Sequence, residues 1–141
     1  MIQLLLVFWI GWTGCLAQPE SSTLTVKIQG LRSAKGQVGI LVFPGKDGFP
    51  SDRHKAIRQI LLPLTGTSVT HNFINLPSGN YAVTVMHDEN GNNELDVNFL
   101  GIPKEGYAFS GNGSALLGPP SFEKAAVRLE ANRTIELKVS Y

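Results

Sequence analysis

Apolar residues in this chain return at every second position in short runs, and that period constrains its fold more than any other feature. Leu24, Val26 and Ile28 alternate with Thr25, Lys27 and Gln29, and Val38, Ile40 and Val42 repeat the pattern. Tyr81, Val83 and Val85 do so again, as do Ile135, Leu137 and Val139. Side chains two apart share one face of a strand, whereas an amphipathic helix needs returns at three and four. Gly and Pro punctuate the runs at Pro44-Gly45, Pro63 and Pro77-Ser78-Gly79. Gly39, Leu41 and Phe43 make the second face of their strand apolar too, which predicts cover on both sides.

Further runs begin at Ile57, Val69 and Ala125, the first of them stopped by Pro63 and so expected at a sheet edge. Ser51 is expected to cap a single helical turn over Asp52 to Ala56. The result is about seven short strands with hardly any helical period. That pattern predicts an all-β fold, a single antiparallel Greek-key β-sandwich. At 141 residues the chain has length for one domain with a real core.

The N-terminus reads differently. Residues 1–17 carry no charged side chain and centre on Leu4-Leu5-Leu6-Val7-Phe8-Trp9-Ile10. So short an apolar run, ending at Ala17, predicts a signal peptide cleaved before Gln18, then a short leader at 18–22 and the sandwich at 23–141. The protein is therefore expected to be exported, periplasmic or secreted. Trp12-Thr13-Gly14-Cys15 supports an alternative, a lipoprotein anchored through Cys15, the one case in which a membrane enters. Cys15 is the only cysteine, so the sandwich has no disulfide to rely on. A net charge of +1 gives no ground for nucleic acid as a partner.

The least ordinary stretch is His87-Asp88-Glu89-Asn90-Gly91-Asn92-Asn93-Glu94-Leu95-Asp96, with four carboxylates, three asparagines and no lysine or arginine. Oxygen-bearing side chains fall at alternate positions, Asp88, Asn90, Asn92, Glu94 and Asp96, a spacing that suits calcium, which takes six to eight oxygens. The bidentate Glu of an EF-hand is missing, because Phe99 stands at the twelfth position. The alternative is a polar turn on Asn90-Gly91 with no ion. His87 beside Asp88 or Glu105 raises a hydrolase reading, but neighbours on a strand point to opposite faces. No nucleophile-elbow pattern surrounds Ser110, Ser114 or Ser121. His87 is accordingly read as a structural anchor and the protein as a non-enzyme.

Residues 98–120 hold eight glycines and prolines in 23 positions. A loop that long is expected to fold back over one end of the sandwich, with Glu105, Tyr107 and Phe109 forming a ligand-facing rim. An envelope or extracellular partner, a glycan or a protein, is expected there. The second hypothesis is a purely structural accessory domain of the envelope with no ligand site.

Several stretches resemble known families. Leu76-Pro77-Ser78-Gly79-Asn80-Tyr81 is similar to a turn of collagen-binding B-type and transthyretin-like sandwich domains. Asp88 to Asp96 resembles the calcium loops of certain bacterial surface B-repeat domains, with Asn93 where glycine is common. The resemblance to those loops implies the Glu94 carbonyl as a further ligand. The acidic loop, Asn98 to Tyr107, Phe109-Ser110 and Gly118 to Phe122 together resemble the bacterial DUF2141 family over residues 23–141. That resemblance implies an exported bacterial β-sandwich and no particular activity.

Overall fold

The computed structural model describes residues 20–111 and 118–141, so the expected signal peptide and Cys15 lie outside the described residues. The strands are β1 (Ser21–Gln29), β2 (Gln37–Phe43), β3 (Arg58–Pro63), β4 (Val69–Pro77), β5 (Gly79–Asp88), β6 (Gly106–Phe109), β7 (Val127–Leu129) and β8 (Arg133–Lys138). They form two sheets, one ordered β4-β1-β8 and one ordered β3-β2-β5-β6, with β7 also pairing β5. The fold is all-β and the two sheets enclose one core, as the period-two pattern predicts. Leu24, Val26 and Ile28 face Val38, Ile40, Val42, Val83 and Val85 within it, all without solvent exposure. Among the described residues no helix is long and apolar enough to cross a membrane.

Four local expectations are corrected. The pairing is antiparallel except between β1 and β8, which run parallel from Leu24↔Arg133 to Gln29↔Lys138. Alternation reports which face a side chain takes and is blind to strand direction. The short turn is a 3-10 helix at Arg53–Lys55 capped by Asp52, whose carboxylate accepts from His54 N at 3.0 Å, and not by Ser51. Ala125 ends a one-turn helix, α1 (Phe122–Ala125), and the strand expected there starts at Val127. The stretch 98–120 is no continuous loop, because β6 joins β5 from Thr84↔Phe109 to His87↔Gly106.

The outer face of the larger sheet is covered at one end, as the apolar second face of β2 predicts. Phe49 packs edge-on against Phe43, Phe109 and Phe122, with ring centroids 5.5, 6.1 and 6.0 Å away. Ser110 ties α1 to β5: its hydroxyl donates to Ala125 O at 2.6 Å and accepts from Val83 N at 2.7 Å.

Candidate functional site

Asp88 ends β5, fully buried, and the acidic loop is wound around it. Its Oδ1 accepts from Gly91 N at 2.7 Å and Asn92 N at 3.2 Å; its Oδ2 accepts from Asn93 N and Gln37 Nε2, both at 2.8 Å. Burial pushes this carboxyl up, but the Gln37 and backbone donors outweigh it and hold its pKa below the ordinary value. Asn93 takes a φ of 65°, the left-handed turn that an asparagine tolerates where glycine is common.

Glu105 closes the loop from the other side. It is buried, not at an exposed rim as expected, because Oε1 accepts from Glu89 N at 2.8 Å and Oε2 from Asp96 N at 3.1 Å. One carboxylate thus joins the two ends of the loop, one residue before β6 begins. This role was missed in the sequence because a loop whose amides turn inward gives no composition signal of its own.

The five positions expected to ligate calcium do not share one centre in this arrangement. Both Asp88 oxygens are taken by N–H groups, and Glu94 is exposed. Asn90, Asn92 and Asp96 do meet: Asn90 Nδ2 donates to Asp96 Oδ2 at 2.6 Å and Asn92 Nδ2 to Asp96 Oδ1 at 3.0 Å. Their amide oxygens face away, accepting from Asn92 N at 3.0 Å and Glu94 N at 2.9 Å. A cation at Asp96 would need both amides turned over, at the cost of those two bonds. Among the described residues no three His, Cys, Asp or Glu side chains are grouped to hold a metal ion.

His87 is also fully buried, and both ring nitrogens are engaged. Nε2 lies 2.9 Å from Lys35 O, which can only accept, so Nε2 carries a proton there, and Nδ1 shares a 2.6 Å hydrogen bond with the Tyr141 hydroxyl. The Tyr141 oxygen accepts in turn from Arg32 N at 3.0 Å, and the Arg32 guanidinium lies over the Tyr141 ring at 4.4 Å. Burial raises the Tyr141 hydroxyl above its ordinary pKa. Arg32 also pairs with Glu89, whose carboxyl is held low first by that bond, and Ser33 Oγ donates to Glu89 at 2.8 Å. Of the serines considered with His87, Ser110 is buried against α1, Ser121 precedes α1, and Ser114 lies outside the described residues. His87 therefore anchors the segment before β2 to Tyr141.

Tyr107 and Phe109 stand on the outer face of the larger sheet, where they line a groove of ≈ 550 Å³. Leu41, Leu61 and Met86 continue its wall, and Glu94 and Leu95 of the acidic loop border it. Gly39 forms part of the floor. A Cβ there would lie 3.3 Å from Leu61 Cδ2 and 3.5 Å from Met86 Cε, so the missing side chain is what leaves room. Thr84 also lines the groove, and its hydroxyl is the one buried side-chain polar atom among the described residues without a partner. These residues come from four strands and read as unrelated outward positions until the strands are ordered. The expected rim residues thus divide, with Tyr107 and Phe109 at the groove and Glu105 holding the loop.

A family model described as "Uncharacterized protein conserved in bacteria (DUF2141)" matches residues 26–136, from the first core strand to the last. No curated protein and no solved structure matches the chain.

Proposed function

The chain belongs to the DUF2141 family, and from that premise we propose that it is an exported, non-enzymatic β-sandwich binding module of the bacterial envelope. Its ligand is the apolar part of a partner molecule, taken into the groove beside residues 98–120. The observation that carries this reading is the groove itself, apolar on most of its wall and opened by Gly39 in the middle of a strand. Its volume falls in the range of about 300–1,000 Å³ over which small ligands are enclosed. Leu41, Leu61, Met86 and Phe109 favour an apolar peptide segment over a glycan, because most of the wall offers apolar contact and polar groups such as Thr84, Gln59 and Arg53 are few enough to match a peptide backbone. The engagement of His87 and Ser110 in structural hydrogen bonds favours the non-enzymatic reading.

Titration with the fluorescent probe anilinonaphthalene sulfonate tests the groove. Binding is expected to fall at least tenfold in Gly39→Leu, which fills the floor, and in Leu61→Ser, which alters an exposed wall residue. Undiminished binding in both folded variants would remove the reading. Export rests on the uncharged apolar residues 1–17, and intact mass of the mature protein is expected to place its first residue at Gln18. A start at a lipid-bearing Cys15 would replace the soluble form with an anchored one.

A second reading is favoured by the meeting of Asn90, Asn92 and Asp96. With both amides turned, a calcium ion would gain their oxygens and Asp96, with weak affinity and a structural role. The melting temperature is then expected to rise in millimolar calcium, and the rise to vanish in Asp96→Ala. Identical melting curves with calcium and with chelator would eliminate it.

A further inference from the structure

Asn90-Gly91 is the one Asn-Gly pair among the described residues, and both of its members are exposed to water. An asparagine before glycine is the pair most prone to lose its side-chain amide, because no Cβ hinders the next backbone nitrogen. Nothing crowds the pair from outside either, since a Cβ added at Gly91 would meet no atom within 4 Å. In the reaction Gly91 N gives up its proton to solvent and attacks Asn90 Cγ. The N–Cγ bond forms, the Cγ–Nδ2 bond breaks, and ammonia leaves with a proton from water. Water then opens the resulting succinimide at either carbonyl, giving aspartate or isoaspartate.

The folded loop opposes both the nucleophile and the leaving group. Gly91 N donates to Asp88 Oδ1 at 2.7 Å, so the negative charge needed on this nitrogen would develop against a buried carboxylate. The Asn90 carboxamide is held at both ends, with Nδ2 donating to Asp96 Oδ2 at 2.6 Å and Oδ1 accepting from Asn92 N at 3.0 Å. Attack therefore requires the loop to open. Exposed loops of this kind open locally at less free energy than the whole fold.

We propose that Asn90 is a latent self-modification site, withheld by the folded loop and converted to aspartate or isoaspartate when the loop opens. The product carboxylate meets Asp96 where the amide had donated, so repulsion replaces a hydrogen bond. Isoaspartate also adds a methylene to the backbone just before Gly91, Asn92 and Asn93, whose amides must all reach Asp88. A loop once converted thus cannot close as before, and its opening is recorded irreversibly. None of this depends on what the groove binds.

Incubation at neutral pH followed by tryptic mapping tests the site. Asn90 falls in the peptide 59–104, while Asn112-Gly113, the other such pair in the chain, falls in 105–124, so their mass gains are read separately. Fragmentation of the first peptide places the gain at residue 90. Conversion of Asn90 is expected to be at least tenfold slower in the native parent than in the same protein in guanidinium chloride. Asp88→Ala, which frees Gly91 N, is expected to recover most of that difference. Asp96→Ala, which frees the carboxamide at a partly exposed position, is expected to accelerate conversion several-fold while circular dichroism shows it folded, and it carries the test if Asp88→Ala does not fold. Equal rates in the native and denatured parent would overturn the proposal. So would a folded Asp96→Ala no faster than the parent, or an Asn90 that stays intact even in guanidinium chloride.

Discussion

Asp88→Ala is expected to cost about 3–4 kcal/mol of folding stability, seen as a lower urea midpoint at unchanged slope. The carboxylate accepts four hydrogen bonds in a fully buried position, from Gln37 and from three successive backbone amides. Alanine would leave those donors without an acceptor, and a buried donor so orphaned loses about 1–3 kcal/mol, less where water can enter. Asp88→Asn is expected to recover little, since its amide group would meet N–H donors that point at it.

The same carboxylate gives a direction to the acid response. Its folded pKa lies below the ordinary 3.8, so the unfolded chain binds the proton more readily. The stabilisation is therefore complete above the unfolded value and is lost as pH falls through the lower folded one. Stability measured from pH 6 downward is expected to fall more steeply in the parent than in Asp88→Ala. Parallel profiles would show that Asp88 is not the group responsible.

Gly36→Ala is expected to be at least as damaging, about 3 kcal/mol or more. Gly36 has a φ of 71°, which alone costs a non-glycine residue roughly 1–2 kcal/mol. An added Cβ would also fall 2.0 Å from the Asp88 carbonyl oxygen and 2.8 Å from Glu89 Cα. Both neighbours are backbone, so relief requires separating the start of β2 from the end of β5. Thermal melting of Gly36→Ala reads the effect, and a change of only a degree or two would refute the close packing there.

Much of the fold was legible because it depends on which face each side chain takes. Leu24, Val26, Ile28, Val83 and Val85 alternate, and all five are in the core. Strand direction was not legible, which is why the parallel partnership of β1 and β8 departs from the expected antiparallel sandwich. The four residues of β6 were hidden among glycines and prolines, too few to establish a period. The candidate site was half visible. Clustered oxygens at 88–96 suggested a cation; those of Asp88, Asn90 and Asn92 receive backbone amides and those of Asp96 receive side-chain amides, a use that residue type does not distinguish from ligation. Tyr107 and Phe109 were singled out as rim aromatics, but Leu41, Leu61 and Met86 join them only once β2, β3, β5 and β6 are side by side.

Glu105 gives this arrangement a thermodynamic consequence. Its two oxygens hold Glu89 and Asp96, while the next residues along the chain, through β6, carry the aromatic wall of the groove. Loop and wall therefore share a common brace, and their free energies are linked. Under the proposed binding function, whatever tightens or loosens the loop is expected to alter the strength with which the groove holds an occupant, and the occupant to alter the loop by the same factor. A substitution at Glu105 is accordingly expected to release the loop ends at Glu89 and Asp96 and, with them, the link to the wall.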